Sequence, residues 1–248
     1  MLIDYKKVNI YQDERLILKD VDFQAETGEF IYLIGRVGSG KSSLLKTIYG
    51  ELDIDSEDAE KAVVLDESMP NIKRSRIPAL RKQMGIIFQD FQLLHDRSVA
   101  KNLKFVLQAT GWSNSQKIDR RIEEVLAQVG MTDKKNKMPS ELSGGEQQRI
   151  AIVRALLNTP KIIIADEPTG NLDPETAANI VSILKDSCQA GTTVIMSTHN
   201  INLIDQFPGK VYRCHEGELH QLTDKKEVCE LAEETAPVET IDEPEQND

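Results

Sequence analysis

One stretch constrains the fold of this chain more than any other: a glycine-rich loop between an apolar run and a segment that favours a helix. The loop consists of Gly35, Arg36, Val37, Gly38, Ser39, Gly40, Lys41 and Ser42, followed by Ser43. It fits the pattern G-x-x-x-x-G-K-[ST], which needs a strand before it and a helix after it. The apolar run 30–34 and the segment 43–48 meet that need, so the sequence predicts a strand–loop–helix unit.

The residue types in this loop predict phosphate binding. Glycines let the backbone turn tightly and point its N–H groups at phosphate oxygens near a helix N-terminus. Lys41 is then expected to reach the β- and γ-phosphates, and the Ser42 hydroxyl to ligate Mg²⁺. An ordinary glycine-rich turn is the plainer alternative, and the complete motif with correct flanks disfavours it. We therefore expect the chain to bind a nucleoside triphosphate.

Composition excludes several other classes. The 248 residues can bury one core, divided at most into two lobes. The longest apolar runs are about five residues, against the roughly 20 that a spanning helix needs, so no membrane span is expected. The first residues lack the layout of a signal peptide. Three cysteines without C-x-x-C spacing suggest a reducing cytoplasm and no zinc site.

The acidic charge is concentrated at the C-terminal end. Of the net charge of −11, residues 224–248 carry −8, from ten acidic residues and two lysines. This segment also contains Pro237 and Pro244 and lacks periodicity, so we predict an acidic, disordered tail. The remainder is nearly balanced, and neither part has the basic character of a nucleic-acid binder.

A second glycine-containing segment, beginning at Ser143, is predicted to open a helix. Ser143 and Glu146 fit a capping box, which accounts for those two residues. Gly144 and Gly145 would each weaken the first helical turn by roughly 1 kcal/mol relative to alanine. The two glycines are understandable if a ligand must approach the backbone closely, and an anion at a helix N-terminus is the natural candidate.

Four predicted buried strands each end at a residue that suits ligand binding: Gly35 of the phosphate loop, the Gln89 amide, the acid Asp166 and the His199 imidazole. In a mainly parallel α/β sheet these ends line one crevice, where ligands bind. An acid directly after a strand suits Mg²⁺ ligation through water, and the neighbouring Glu167 suits a general base. Two exposed acids without function, and a structural histidine, are the plainer alternatives.

Two further segments allow more than one interpretation. Tyr11, near the end of the first β-rich stretch, either stacks on a purine face or closes a strand end. The apolar residues of 91–94 lie just beyond a strand, either as core or as a docking surface.

Taken in order, these motifs resemble the ATP-binding subunits of the ATP-binding-cassette (ABC) family over roughly residues 1–223. LSGGEQQR at 142–149 is similar to the family signature, and GRVGSGKSS at 35–43 to its phosphate loop. IIIADEP at 162–168 resembles its Mg²⁺ and base strand, and NLD at 171–173 its dimer-contact loop. Gln89 and His199 match its glutamine and histidine switches, and Tyr11 its adenine-stacking aromatic.

The resemblance implies a fold and a set of roles. The fold would be α/β of the P-loop NTPase type, with a RecA-like core (about 1–90 and 158–223) and a helical signature subdomain (about 91–157). The core would hold a mainly parallel sheet and carry an N-terminal antiparallel β subdomain. ATP would be gripped in a head-to-tail homodimer, and Ser143, Gly144 and Gly145 would close the site from the other copy. Within each copy, Glu167 would polarise water and His199 would contact the γ-phosphate. Ser42, Gln89 and Asp166 would hold Mg²⁺.

Within the family, DEPTGNLD and the compact single cassette resemble the branch of lipoprotein-release, macrolide-export and cell-division ATPases. The stretches 76–103 and 199–204 are most similar to the cell-division member, FtsE. That similarity implies an FtsX-like integral membrane partner and a cytoplasmic location at the inner membrane. An export or lipoprotein-release ATPase is the alternative. The soluble ABC ATPases of DNA repair and translation need insertions or a second cassette that this sequence lacks.

Overall fold

The computed structural model describes residues 1–223; the predicted acidic tail lies outside the described residues. The strands are β1 (Ile3–Gln12), β2 (Arg15–Ala25), β3 (Phe30–Ile34), β4 (Ala59–Val64), β5 (Glu67–Ser68), β6 (Met84–Ile87), β7 (Ile162–Ala165), β8 (Thr193–Ser197), β9 (Lys210–His215) and β10 (Glu218–Leu222). The α-helices are α1 (Lys41–Ile48), α2 (Ile77–Arg81), α3 (Val99–Ala109), α4 (Ser115–Gln128), α5 (Gly144–Leu156), α6 (Pro174–Gln189) and α7 (Asn202–Gln206).

The central sheet has six strands in the order β10-β9-β3-β8-β7-β6. Strands β9, β3, β8, β7 and β6 run parallel, and only β10 is antiparallel to its neighbour. Every residue of β3, β7 and β8 is buried, as expected for near-continuous apolar runs covered on both faces. The predicted mainly parallel sheet is confirmed.

A second, antiparallel sheet of four strands has the order β2-β1-β4-β5. Strand β2 alternates between buried and exposed residues along its second half, because one face packs on a core and the other meets solvent. Its core is shared with α1, whose Leu44, Leu45 and Ile48 are buried beside one face of the central sheet. The predicted N-terminal antiparallel sheet is therefore present, and it also contains β4 and β5, which follow α1 in the sequence.

Helices α3, α4 and α5 form the region that the sequence predicts as helical. Helix α4 begins after Asn114, whose side chain accepts from the Lys117 N–H, and it buries Ile118, Ile122, Val125 and Leu126 at helical spacing. Their shared core joins the opposite face of the central sheet. Gln89 and His199, expected directly at strand ends, each follow their strand by two residues, since β6 ends at Ile87 and β8 at Ser197. Within residues 1–223, no helix is both long and apolar enough to cross a membrane.

Candidate active site

The glycine-rich loop joins β3 to α1, as predicted. Gly40 precedes the helix with φ 103°, and no side chain among residues 1–223 caps the helix. The first turn of α1 also lacks an acidic residue. Its N–H groups and partial positive charge are therefore directed at the loop without competition from a carboxylate of that turn.

Gly35 is required by a close backbone approach. Its φ is 146°, and a Cβ atom there would overlap the Cys214 carbonyl oxygen of β9 and lie 2.6 Å from Ser39 Oγ. A larger residue would push the start of the loop away from the sheet. The Ser39 hydroxyl is itself buried and makes no hydrogen bond within residues 1–223. A buried hydroxyl without an internal partner is the kind of group that a ligand satisfies.

Three charged or titratable side chains meet beside this loop. The Lys41 ammonium, on a residue only 5% exposed, donates to the Gly35 and Arg36 carbonyls at 2.8 and 3.1 Å. It also lies 3.5 Å from Glu167 Oε1, while Glu167 Oε2 lies 3.3 Å from His199 Nδ1. The structure thus brings Lys41, Glu167 and His199 into one cluster, although they come from α1 and from the ends of β7 and β8.

Ser197 holds the acid pair, and sequence reasoning missed it. Its hydroxyl donates to Asp166 Oδ1 at 2.6 Å and accepts from the Glu167 N–H at 2.8 Å. Glu167 has φ 45°, a left-handed conformation that is uncommon outside glycine. A fully buried serine at the end of a β-strand was the available signal, since a buried hydroxyl needs a partner.

The remaining predicted residues lie around this cluster. Gln89 is exposed and follows β6 by two residues; a Cβ atom on Gly170 would lie 3.6 Å from both its Nε2 and Glu167 Oε2. Tyr11 is half-buried in β1, opposite Leu16 of β2. Strand β2 reaches the loop two residues later, where Leu18 would lie 2.9 Å from a Cβ atom on Gly40. Tyr11 is therefore on the strand adjacent to the one that contacts the loop.

The predicted capping box of α5 is present. Ser143 Oγ accepts from the Glu146 N–H at 3.3 Å, and Glu146 Oε2 accepts from the Ser143 N–H at 2.8 Å. The Ser143 N–H, followed by the Lys134 ammonium, lowers the pKa of Glu146. Ser143 and Gly144 are exposed.

The two glycines of this helix differ in what they accommodate. A Cβ atom on Gly145 would lie 2.6 Å from the Thr176 methyl group of α6. The close packing of α5 on α6 therefore explains Gly145 without any ligand, contrary to the argument from sequence. A Cβ atom on Gly144 would lie 3.9 Å from its nearest neighbours, an ordinary contact distance. Packing therefore does not require a glycine at position 144.

The donor set suits a magnesium–nucleotide complex. Ser42 and Gln89 are exposed, and Asp166 is held by Ser197, so hydroxyl, amide and carboxylate oxygens lie at one edge. Such hard oxygen ligands suit Mg²⁺, which usually keeps water and phosphate oxygens as well. Within residues 1–223 there is no cluster of three His, Cys, Asp or Glu that could hold a metal by itself. A metal at this edge would be held by Ser42, Gln89 and Asp166 together with water and phosphate oxygens.

The fold and this edge define a P-loop nucleotide-binding protein. The family model described as "ABC transporter" matches residues 18–170, and the chain belongs to that family. It is accordingly an ATP-binding, ATP-hydrolysing cassette.

Two curated relatives and one solved structure place the chain within this family. It is 39% identical over 210 residues to the cell division ATP-binding protein FtsE of Streptococcus pneumoniae, covering 85% of this chain and 90% of that protein. It is 37% identical over 228 residues to the methionine import ATP-binding protein MetN of Clostridioides difficile, covering 92% and 70%. A dimeric post-hydrolysis structure of the cassette MJ0796, bound to ADP and Pi, matches with TM-score 0.76 and 30% identity, covering 90% and 99%.

Proposed function

We propose that this chain is the ATPase subunit of an FtsEX-type cell-division complex. In this proposal two copies close around ATP, and the closure drives an FtsX-like integral membrane partner that relays force to cell-wall hydrolases. The observation that carries the catalytic part is the Lys41–Glu167–His199 cluster at the carboxyl edge of a parallel sheet. The similarity to FtsE over 85% of the chain supports the choice of complex.

The cluster suggests how water is activated. The Lys41 ammonium and the N–H groups of the loop would hold the β- and γ-phosphates. Because Lys41 lies 3.5 Å from Glu167, an arriving phosphate would compete with that carboxylate for the ammonium. Glu167, released from Lys41, would accept a hydrogen bond from the attacking water, and His199 would contact the γ-phosphate. The products are ADP and phosphate, and positioning with electrostatic stabilisation supplies most of the catalysis.

A magnesium ion, when bound, would neutralise part of the charge on the β- and γ-phosphate oxygens. Ser42 and Gln89 would contribute their side-chain oxygens, and Asp166 would act through water. Ser197 would keep the Asp166 carboxylate turned toward this position, through the 2.6 Å hydrogen bond. The left-handed backbone at Glu167 supports a functional role for the neighbouring base, since such conformations persist where the surroundings enforce them.

The exposed start of α5 supports a dimeric site. Ser143 and Gly144 face solvent in the single chain, and packing leaves Gly144 unexplained. In a head-to-tail dimer, Ser143 and Gly145 would close over the nucleotide that the other copy holds, while Tyr11 would stack on its adenine. The similar cassette MJ0796 was solved as a dimer with ADP and Pi, which supports this arrangement.

An apolar surface beyond Gln89 is the proposed docking site for the membrane partner. Leu94 is 38% exposed and Phe105 of α3 is 49% exposed, whereas Leu93, the neighbour of Leu94 in sequence, is buried. The segment 91–94 therefore contributes both to the core and to an exposed surface. The Arg97 guanidinium lies 5.4 Å from the centre of the Phe105 ring, so the loop that follows Leu94 contacts this exposed ring. We place the chain at the cytoplasmic face of the inner membrane through this contact.

Copurification tests the proposal directly. We expect Glu167→Gln to hydrolyse ATP at least about 100-fold more slowly, yet to form an ATP-dependent dimer and to copurify in mild detergent with an FtsX-like subunit. Exchange of an exposed acid on α4, Asp119→Asn, is the control and should leave turnover unchanged. Normal hydrolysis by the Glu167 variant would contradict the assignment of the base, and a monomer with MgATP would contradict the dimer.

Surface variants test the docking site. Leu94→Asp and Phe105→Asp should abolish copurification without changing ATP hydrolysis by the isolated chain. Gln116→Asp adds the same charge to an exposed position of α4 and should copurify normally. Intact copurification of both docking variants would place the partner elsewhere.

The membrane subunit that is recovered separates the candidate complexes. Depletion of the chain should give filamentous cells if the complex acts in division. Drug sensitivity or a lipoprotein-release defect would instead support the export alternative. The 37% identity to MetN favours an importer as a further candidate, although the match covers 70% of MetN against 90% of FtsE. Recovery of a methionine-import permease would support that candidate.

A further inference from the structure

We propose that Arg154 is a positioning residue for ATP hydrolysis. It holds the sharp backbone turn at Phe91 and Gln92, called the corner below, and thereby fixes the position of Gln89. The corner is the first half of the segment 91–94 that contributes to the proposed docking site, so the same contact ties that segment to α5. The inference rests on the role given above to Gln89, and it concerns a residue outside the motifs of the nucleotide site.

The corner is a locally unfavourable conformation. Phe91 and Gln92 have φ 58° and 47°, two consecutive left-handed residues that are not glycine. Each such residue is disfavoured by contact between its Cβ atom and its own backbone, so a consecutive pair persists only when other groups enforce it. The local hydrogen bond from the Gln92 N–H to the Asp90 carbonyl, 2.6 Å long, is compatible with a tight turn.

Arg154 is the distant side chain that holds this corner. Its Nη1 donates to the Gln92 carbonyl at 2.5 Å, across 62 residues of sequence. Its Nη2 is buried and makes no hydrogen bond within residues 1–223. Burial lowers the pKa of the guanidinium, and the nearby Asp90 opposes that effect. A partly buried cation with a buried, unsatisfied donor is costly, so an apolar residue would be the more stable choice unless the contact has a purpose.

The backbone of α5 next to Arg154 packs on β6, the strand that leads to Gln89. A Cβ atom on Gly85 of β6 would lie 2.6 Å from the Ala155 carbonyl oxygen, so the end of α5 packs directly on β6. Gln89 follows the last residue of β6 by two positions and precedes Phe91, the first residue of the corner, by two. Its backbone is therefore restrained on one side by the sheet and on the other by the Arg154 contact.

The same corner also lies beside the start of α5, and the chain that follows it leads to Leu94 of the proposed docking site. A Cβ atom on Gly144 would lie 3.9 Å from the Phe91 ring. Beyond the corner, the buried Asn102 side chain accepts from the Leu94 N–H at 2.8 Å and donates to the Leu94 carbonyl at 3.0 Å. The segment between Gln89 and Leu94 is thus held at Gln92 by α5 and at Leu94 by α3. A shift of α5 would therefore move the backbone at Gln92, and with it the two ends of this segment, Gln89 and Leu94.

The test uses ATP hydrolysis by the full chain, so its outcome is separate from that of copurification. Arg154→Met should lower kcat about tenfold with KM for ATP unchanged within about twofold, because nucleotide contacts remain while Gln89 loses its position. Amide hydrogen exchange at 91–94 should accelerate. Arg154→Lys, which keeps a charge and a donor, should recover most of kcat. Arg120→Met removes an exposed arginine and should match the wild type.

Substitutions at Gln92 test the corner without touching Arg154. Gln92→Gly should retain the wild-type kcat, because glycine adopts a left-handed conformation without cost. For the same reason, the double variant Gln92→Gly with Arg154→Met should recover the kcat that Arg154→Met loses. Gln92→Val should lower kcat about as much as Arg154→Met does, because a β-branched residue disfavours that conformation. Wild-type kcat in the valine variant, or a loss in Arg154→Met that glycine does not restore, would overturn the proposal.

Discussion

Helices α1 and α5 both begin at a glycine-containing segment, yet their first turns are built differently. Helix α1 follows Gly40, has neither an acid in its first turn nor a side-chain cap from residues 1–223, and begins with the buried Lys41. Helix α5 is capped by Ser143 and Glu146 in a reciprocal pair of hydrogen bonds. Glu146 also contacts the Lys134 ammonium at 2.9 Å.

This difference shows that a glycine-opened helix is not by itself an anion site. The start of α1 leaves N–H groups and a positive charge directed at the loop, so it can bind phosphates without rearrangement. The start of α5 already has two of its N–H groups satisfied and a carboxylate beside it. We infer that α5 contributes to phosphate binding only as the second side of a site that α1 and Lys41 have formed.

The largest effect should come from removing the charge at the start of α1. Lys41→Met should reduce ATP hydrolysis at least about 100-fold, because a preorganised charge is lost in a water-poor site. Steady-state hydrolysis and nucleotide binding by calorimetry would measure this. Lys46→Met, in the same helix, breaks only an exposed ion pair with Glu51 and is the control. A Lys41 variant with half the wild-type rate would remove the distinction between the two helices.

The two glycines of α5 should separate stability from activity. Gly145→Ala should lower the free energy of unfolding by about 1–3 kcal/mol, because the added methyl group collides with Thr176. Gly144→Ala should leave thermal stability unchanged or slightly raised, and should lower ATP hydrolysis if a second copy approaches there. Thermal unfolding and hydrolysis rates of both variants provide the measurement. Equal stability of the two variants would show that α5 and α6 pack less tightly than the structure indicates.

Loss of the hydroxyl behind the acid pair should have an intermediate effect. Ser197→Ala removes the hydrogen bonds to the Asp166 carboxylate and the Glu167 N–H, so kcat should fall about tenfold. Ser187→Ala, whose hydroxyl bonds the carbonyl of Ile183 on α6, is a control for removal of a serine. A kcat within twofold of the wild type would show that Asp166 is positioned without Ser197.

The smallest effect should be a pH-dependent one at the start of α5. Glu146→Ala should destabilise the chain by about 1 kcal/mol at pH 7. The folded pKa of Glu146 lies below its ordinary value of 4.5, so this stabilisation is present above pH 4.5 and is lost as pH falls through the folded pKa. Glu146→Gln keeps the hydrogen bond without titrating and is the control. Unfolding as a function of pH would show a constant difference if the carboxylate had no part.

Much of the fold and part of the site could be predicted because their signals are local. Buried strands such as β7 are continuous apolar runs, and α4 shows its buried face in residues three and four apart. The caps at Ser143 and Asp173 involve partners only three residues away. The order of the motifs along the chain then predicts that Gly35, Asp166 and His199 lie near one sheet edge.

By itself the sequence determined a phosphate-binding strand–loop–helix unit, a parallel sheet with polar residues at its edge, and a second capped helix. Only the tertiary structure decided what those residues contact. Ser197 holds Glu167 across 30 residues, and Arg154 reaches Gln92 across 62. Thr176, on a different helix, occupies the space beside Gly145. Such contacts leave no periodic pattern in the sequence, because they depend on how separate elements pack. The type of a residue, a serine or an arginine, does not by itself indicate which partner its side chain contacts in the fold.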